Sequence, residues 1–199
     1  MRNLRGGRKM KQHRQWVGAS VFGAVAVILM LFQFPLIPGI SYLKVDFSDL
    51  AILSSAVIYG PIAGFVSLLI RTLLHYIQTG GDMGYPIGDI ASLVASLSLI
   101  TPIYYFTLKS WTAKRFIIGA GIGTLTLTLV MAILNWLVLT PLYLALFHMN
   151  LGNLREVILL GVVPFNLAKG LVVSTAVYLV VGKLLPQLSR RRMEGQAHL

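Results

Sequence analysis

Apolar residues in this chain come in long unbroken runs. They show neither the strict alternation of half-buried strands nor the single stripe of a helix lying on a soluble core. The runs cover 16–34, 50–59, 62–76, 90–108, 116–147 and 157–185. A helix needs about 20 apolar residues to cross a bilayer, so the pattern predicts an all-α polytopic membrane protein with six transmembrane helices. The second and third runs are parted by Gly60-Pro61, a pair that breaks a helix and turns the chain. The second run is short for a full crossing, so it begins within the preceding loop or lies tilted. The fifth is long enough to be strongly tilted or to extend beyond the membrane.

Composition narrows the picture. Of 199 residues, 56% are hydrophobic and 12% charged, with mean hydropathy +0.78. Soluble domains carry about 25% charged residues, so a soluble enzyme is excluded. A nucleic-acid-binding domain is excluded too, although the net charge is +11. The length leaves no room for an ATPase domain, and the sequence has no G-x-x-x-x-G-K-[ST] phosphate loop. With no cysteine, thiolate metal sites and disulfides are out, and the four scattered histidines suggest no metal cluster.

The charges are placed unevenly. Arg2, Arg5, Arg8, Lys9, Lys11 and Arg14 precede the first run, Lys109, Lys114 and Arg115 sit in one loop, and Lys183 and Arg190 to Arg192 follow the last run. The opposite loops hold Asp46, Asp49, Asp82, Asp89 and Glu156 against Lys44 and Arg155. This positive-inside bias predicts both termini in the cytoplasm. The chain then divides into a basic tail (1–15), one six-helix domain (16–185) and a second basic tail (186–199). The first run exceeds a signal peptide's ~7–15-residue apolar stretch and reads as a retained helix.

An ionisable group at a helix centre costs about 2.5–3.5 kcal/mol, so polar residues inside the runs point to function. Lys169 lies deep in the last run, and Asn166, three residues earlier, shares its helix face. Pro164 frees carbonyls one turn back. The plain alternative is a Lys–Asp pair between helices with Asn as packing glue, but the runs hold no acid at that depth. Asp46, Asp49 and Asp89 stand only near their edges. Asn135, mid-way along the fifth run, offers donors and an acceptor suited to a neutral heterocycle. Asp46 or Ser48 could cap the second helix, a role that suits Ser48 and Asp49 best. Arg71 and His75 are four apart; the plainer reading has Arg71 snorkelling and His75 satisfied in the core. On the first helix Ala19/Gly23 and Ser20/Ala24 form small-xxx-small pairs, fit for internal packing or for docking a partner.

Together, LMLFQFPLIPGISYLKVDFSDL at 29–50, GP at 60–61, the Gly-rich loop at 80–89, LNW at 134–136 and PFNLAKG at 164–170 resemble the riboflavin-specific substrate-binding (S) components of energy-coupling factor (ECF) vitamin transporters. The resemblance spans roughly 15–185. It implies a six-helix bundle in the bacterial cell membrane that binds riboflavin near its outer face beneath the first outer loop. It also implies a non-enzymatic subunit with riboflavin as transported ligand and no cofactor. Its partners would be a transmembrane coupling subunit and two ATPases, with reorientation in the membrane to release the vitamin inside. By the same resemblance Asn166, Lys169 and Asn135 face the flavin, Leu43, Lys44 and Asp46 cover it, and Gly88 and Asp89 stand at the fourth-helix entry. The stripe of Ala19, Ser20, Gly23 and Ala24 resembles the docking motif for the coupling subunit, without the usual pair of alanines. The rival readings are an S component for thiamine or pantothenate, a solitary ion-coupled carrier, and an intramembrane enzyme. The chain lacks the inverted repeat of the carrier and the nucleophile context of the enzyme.

Overall fold

The computed structural model describes residues 3–36, 43–82, 84–147 and 153–197. The sequence-read segments at 37–42 and 148–152, and most side chains of the two basic tails, lie outside the described residues. Six helical rods follow the apolar runs. The first, α1, spans Asn3–Leu31 and so begins inside the basic tail. Then come α2 (Ser48–Tyr59), α3 (Pro61–Thr79) and α4 (Ile87–Thr107). The rod α5 is Ala113–Leu134, a π-helical stretch Asn135–Leu139, and Thr140–Phe147. The last, α6, is Leu154–Glu156, a π-helical stretch Val157–Val162, and Val163–Ala197.

Five of the rods contain stretches long and apolar enough to cross a membrane, and α2 is a shorter apolar helix. Its 12 residues rise only about 18 Å, too little to span the ~30 Å hydrocarbon core upright. The break after α2 has a local cause. Gly60 sits at φ 103°, a left-handed conformation open to glycine, and Pro61 starts α3 at the position where a missing N–H is harmless.

One element departs from the all-helical expectation. Phe34–Pro35 (β1) pairs antiparallel with Lys44–Val45 (β2), with Phe34 opposite Val45 and Pro35 opposite Lys44. Val45 and Leu43 turn into the core while Lys44 stays exposed. The ribbon therefore lies on the bundle instead of forming a free loop.

The core runs up the middle of the rods through Ile52, Leu53, Leu68, Leu99, Leu127, Val162 and Val173, all nearly fully enclosed. The outer faces carry Ile62, Ile77, Tyr105, Leu125 and Leu160, each well exposed. A surface this apolar is stable against lipid, not water. The small-residue stripe of α1 divides between these two surroundings. Ala19 and Gly23 face inward, where the Ala19 carbonyl accepts from Ser67 Oγ at 2.8 Å and a side chain at Gly23 would collide with Ile70 of α3. Ser20 and Ala24 are exposed.

Candidate functional site

A cavity of about 220 Å³ opens between the ribbon, the α3–α4 connection and the same ends of α4, α5 and α6. All eight residues singled out in the sequence line it: Leu43, Lys44, Asp46, Gly88, Asp89, Asn135, Asn166 and Lys169.

The two asparagines are placed by the π-turns. A π-turn inserts a residue into the α-helical hydrogen-bond ladder and leaves carbonyls short of their usual donors. Asn135 starts the stretch in α5, and its Nδ2 donates to the Met131 carbonyl at 2.8 Å. Its Oδ1 accepts from Thr140 Oγ1 at 3.3 Å. Asn166 follows the stretch in α6, and its Nδ2 donates to the Val162 carbonyl at 2.8 Å. Asn166 lines the cavity, and its Oδ1 is buried without a hydrogen-bond partner. A buried acceptor left unmet costs about 1–3 kcal/mol, so a donor on a bound molecule would relieve it.

Lys169 is 5% exposed, and its Nζ lies 3.9 Å from Asp46 Oδ2. The acid missing from the apolar runs is thus supplied by the residue just after the ribbon. At that separation the charges attract, but no hydrogen bond forms, so the N–H groups of Lys169 remain available to the cavity. Burial pushes the Asp46 carboxyl up. Lys169, Arg71 and two hydrogen bonds from Ser48 outweigh it and hold the group below its ordinary value. Asp46 accepts the Ser48 N–H at 2.8 Å and also the Ser48 hydroxyl. Neither Ser48 nor Asp49 caps α2: Phe47 holds the cap position without a side-chain hydrogen bond, and Asp46 before it accepts the first helical N–H, that of Ser48. Asp49 instead accepts from Ser96 Oγ of α4 at 2.5 Å.

Arg71 departs from the plain reading, and His75 keeps to it. Arg71 does not snorkel. It is 0% exposed, and its Nη1 donates to Ser48 Oγ at 2.8 Å and to Ser96 Oγ at 3.2 Å. His75 is buried and satisfied, yet it lines the cavity. Its Nδ1 donates to Asp89 Oδ1 at 2.6 Å, and its Nε2 accepts from Gln33 Nε2 at 3.4 Å. Asp82 accepts from Tyr143 Oη at 2.6 Å and from the Gly88 N–H at 2.9 Å, tying the Gly-rich loop to α5.

Ser92, Tyr143 and Gln33 were missed from sequence. Ser92 had a usable signal. It stands four residues after Gly88 and, with Ala91 and Ala95, gives α4 a face of small side chains toward the cavity. Its hydroxyl is buried and unpartnered. The lining also includes the bulky Met131, Leu139 and Phe165. Small and bulky apolar groups with a few polar atoms among them suit a flat ring system. Among the described residues no group of three His, Asp or Glu comes together to hold a metal ion.

Among the described residues, a helical bundle with a lipid-compatible exterior holds a polar-edged cavity near its helix ends, with the lining of a small-molecule site. The comparisons specify the class. The description "ECF transporter, substrate-specific component" matches residues 14–181, and the chain belongs to that family. It is 33% identical over 183 residues to the riboflavin transporter FmnP of Bacillus subtilis, covering 90% of this chain and 96% of that one. It is 34% identical over 191 residues to the riboflavin transporter RibU of Staphylococcus aureus, covering 94% and 100%. The fold matches a solved S component of a bacterial ECF transporter with TM-score 0.75 and 32% identity, over 89% of this chain and 98% of the other.

Proposed function

We propose that this chain is the riboflavin-binding membrane subunit of an ECF transporter, capturing the vitamin on the outer side for uptake driven by the module's ATPases. The observation that carries this reading is that Asn166, with its buried Oδ1 unmet, and Lys169, whose ammonium makes no hydrogen bond to Asp46, line one cavity together with small and bulky apolar residues. Riboflavin presents a flat uncharged ring with an imide N–H flanked by carbonyls. Asn166 accepts the N–H, Lys169 donates to a ring acceptor, and Leu43, Lys44 and Asp46 cover the ligand while Asn135, Gly88 and Asp89 complete the wall. The relatives' names support the flavin as ligand.

The six apolar runs and the charge bias support six crossings with both ends in the cytoplasm, and the 12-residue α2 then needs the chain before it to complete its crossing. The coupling subunit docks on the exposed Ser20/Ala24 face of α1, since Ala19 and Gly23 are enclosed against α3. The chain acts as a carrier subunit, not an enzyme, in the bacterial cell membrane.

Titration of the detergent-purified protein with riboflavin, followed by quenching of flavin fluorescence, tests the reading. Asn166→Ala is expected to weaken binding by about 1–3 kcal/mol. Binding of thiamine or pantothenate in place of riboflavin would overturn the assignment.

A further inference from the structure

Arg71 lies behind the cavity and contributes nothing to its lining, yet it is among the largest fully buried side chains of the chain. Its Nη1 donates to two hydroxyls, Ser48 at the start of α2 and Ser96 on α4. Each serine passes the interaction on, Ser48 to Asp46 Oδ1 and Ser96 to Asp49 Oδ1. A hydroxyl has a single proton to give. While guanidinium and carboxylates are charged, both serines must therefore accept from Arg71 and donate to the acids. The order runs one way, from α3 outward. Its far end is Asp46, whose second oxygen, Oδ2, faces Lys169 at 3.9 Å.

We infer that Arg71 is a positioning residue for the ligand site. Acting through Ser48, it fixes the rotation of the Asp46 carboxylate, so that Oδ2 steadies Lys169 without capturing its N–H groups. The same chain anchors the end of the β1–β2 ribbon to α3 and α4. A merely structural guanidinium would behave differently. Replacing a guanidinium that only balanced the buried carboxylates would lower stability and leave the ligand affinity of the folded protein as it was.

The inference rests on the flavin reading for one of its two probes. The absence of cysteine allows a single nitroxide at Lys44→Cys to report motion of the ribbon without any ligand. Riboflavin titration of the unlabelled protein reads the site itself. Ser48→Ala is expected to weaken riboflavin about tenfold, the scale of a lost hydrogen bond to a charged group, and to mobilise the Lys44 label. Ser48→Thr, which keeps the hydroxyl, stays within about twofold of the unchanged protein and leaves the label as it was. In an Asp46→Ala background, Ser48→Ala adds less than about twofold, because partners in one chain are not additive. Arg71→Met reproduces Ser48→Ala in both readouts. If Arg71→Met does not fold, the serine pair still decides.

The inference is overturned if Arg71→Met folds and changes neither affinity nor label mobility, if Ser48→Ala changes neither, or if the Ser48→Ala effect multiplies in full with Asp46→Ala. Failure of the unchanged protein to bind riboflavin would remove the flavin reading, and the label would still decide the relay.

Discussion

Among the described residues two cations, Arg71 and Lys169, are buried in this bundle, and they are held in opposite ways. Arg71 on α3 is enclosed and gives Nη1 to two serines that lead to two carboxylates. Lys169 on α6 stands at a cavity wall with one acid at 3.9 Å and no hydrogen bond to it. Both groups carry a desolvation penalty of several kcal/mol. The difference lies in what remains available. The guanidinium spends Nη1 and Nη2 on the framework and its buried Nε, unpartnered, lies away from the cavity, whereas the ammonium stands at the cavity wall with its donors unspent. Burial of a charge therefore does not by itself mark a ligand site; incomplete satisfaction beside a cavity does.

The sharpest way to break the comparison is to truncate each cation. Arg71→Ala strands Asp46 and Asp49 near one another and is expected to destabilise the protein by about 3–5 kcal/mol, read as a lowered melting temperature in detergent. Lys169→Ala leaves Arg71 to balance Asp46. It is expected to cost about 1–3 kcal/mol of riboflavin affinity with a far smaller change in melting. If the two variants exchanged these outcomes, the distinction would be lost. Ser92→Ala removes an unmet hydroxyl at the cavity and is expected to weaken riboflavin by about 0.5–1.5 kcal/mol while slightly raising or preserving the melting temperature. The smallest effect concerns pH. The lowered pKa of Asp46 means its contribution to stability is fully present at neutral pH. That contribution is lost only as pH falls through the lowered value, below the usual carboxylate range. Melting curves should show no loss from this group between pH 5 and 8, and Asp46→Asn should remove the step in acid.

Much of the fold was legible because membrane spans announce themselves by length of apolar run, and because Gly60-Pro61 is a strong break. Lys169, Asn166 and Asn135 were legible for a related reason: each is a polar residue where hydrocarbon is expected. The role of Arg71 was not. Its partners Ser48 and Ser96 lie 23 and 25 residues away, and nothing in the local pattern distinguishes a snorkelling arginine from one that reaches inward. Ser92 looks like any small helical residue until its face is set against a cavity. The split of the α1 stripe into an enclosed and an exposed half depends on which side α3 packs, a tertiary fact. The ribbon pairing Phe34 with Val45 was hidden because two-residue strands carry no periodicity.

The π-helical stretches have a consequence for how such a binding wall can vary. One added residue turns everything beyond it by about 100° around the helix axis. In α5 and α6 the cavity-side ends thus present a different set of side chains than uninterrupted rods would offer, while the remaining lengths keep their seat in the bundle. Gain or loss of a single amino acid in either stretch would re-index the cavity like a dial, offering a new ligand outline without disturbing the scaffold below.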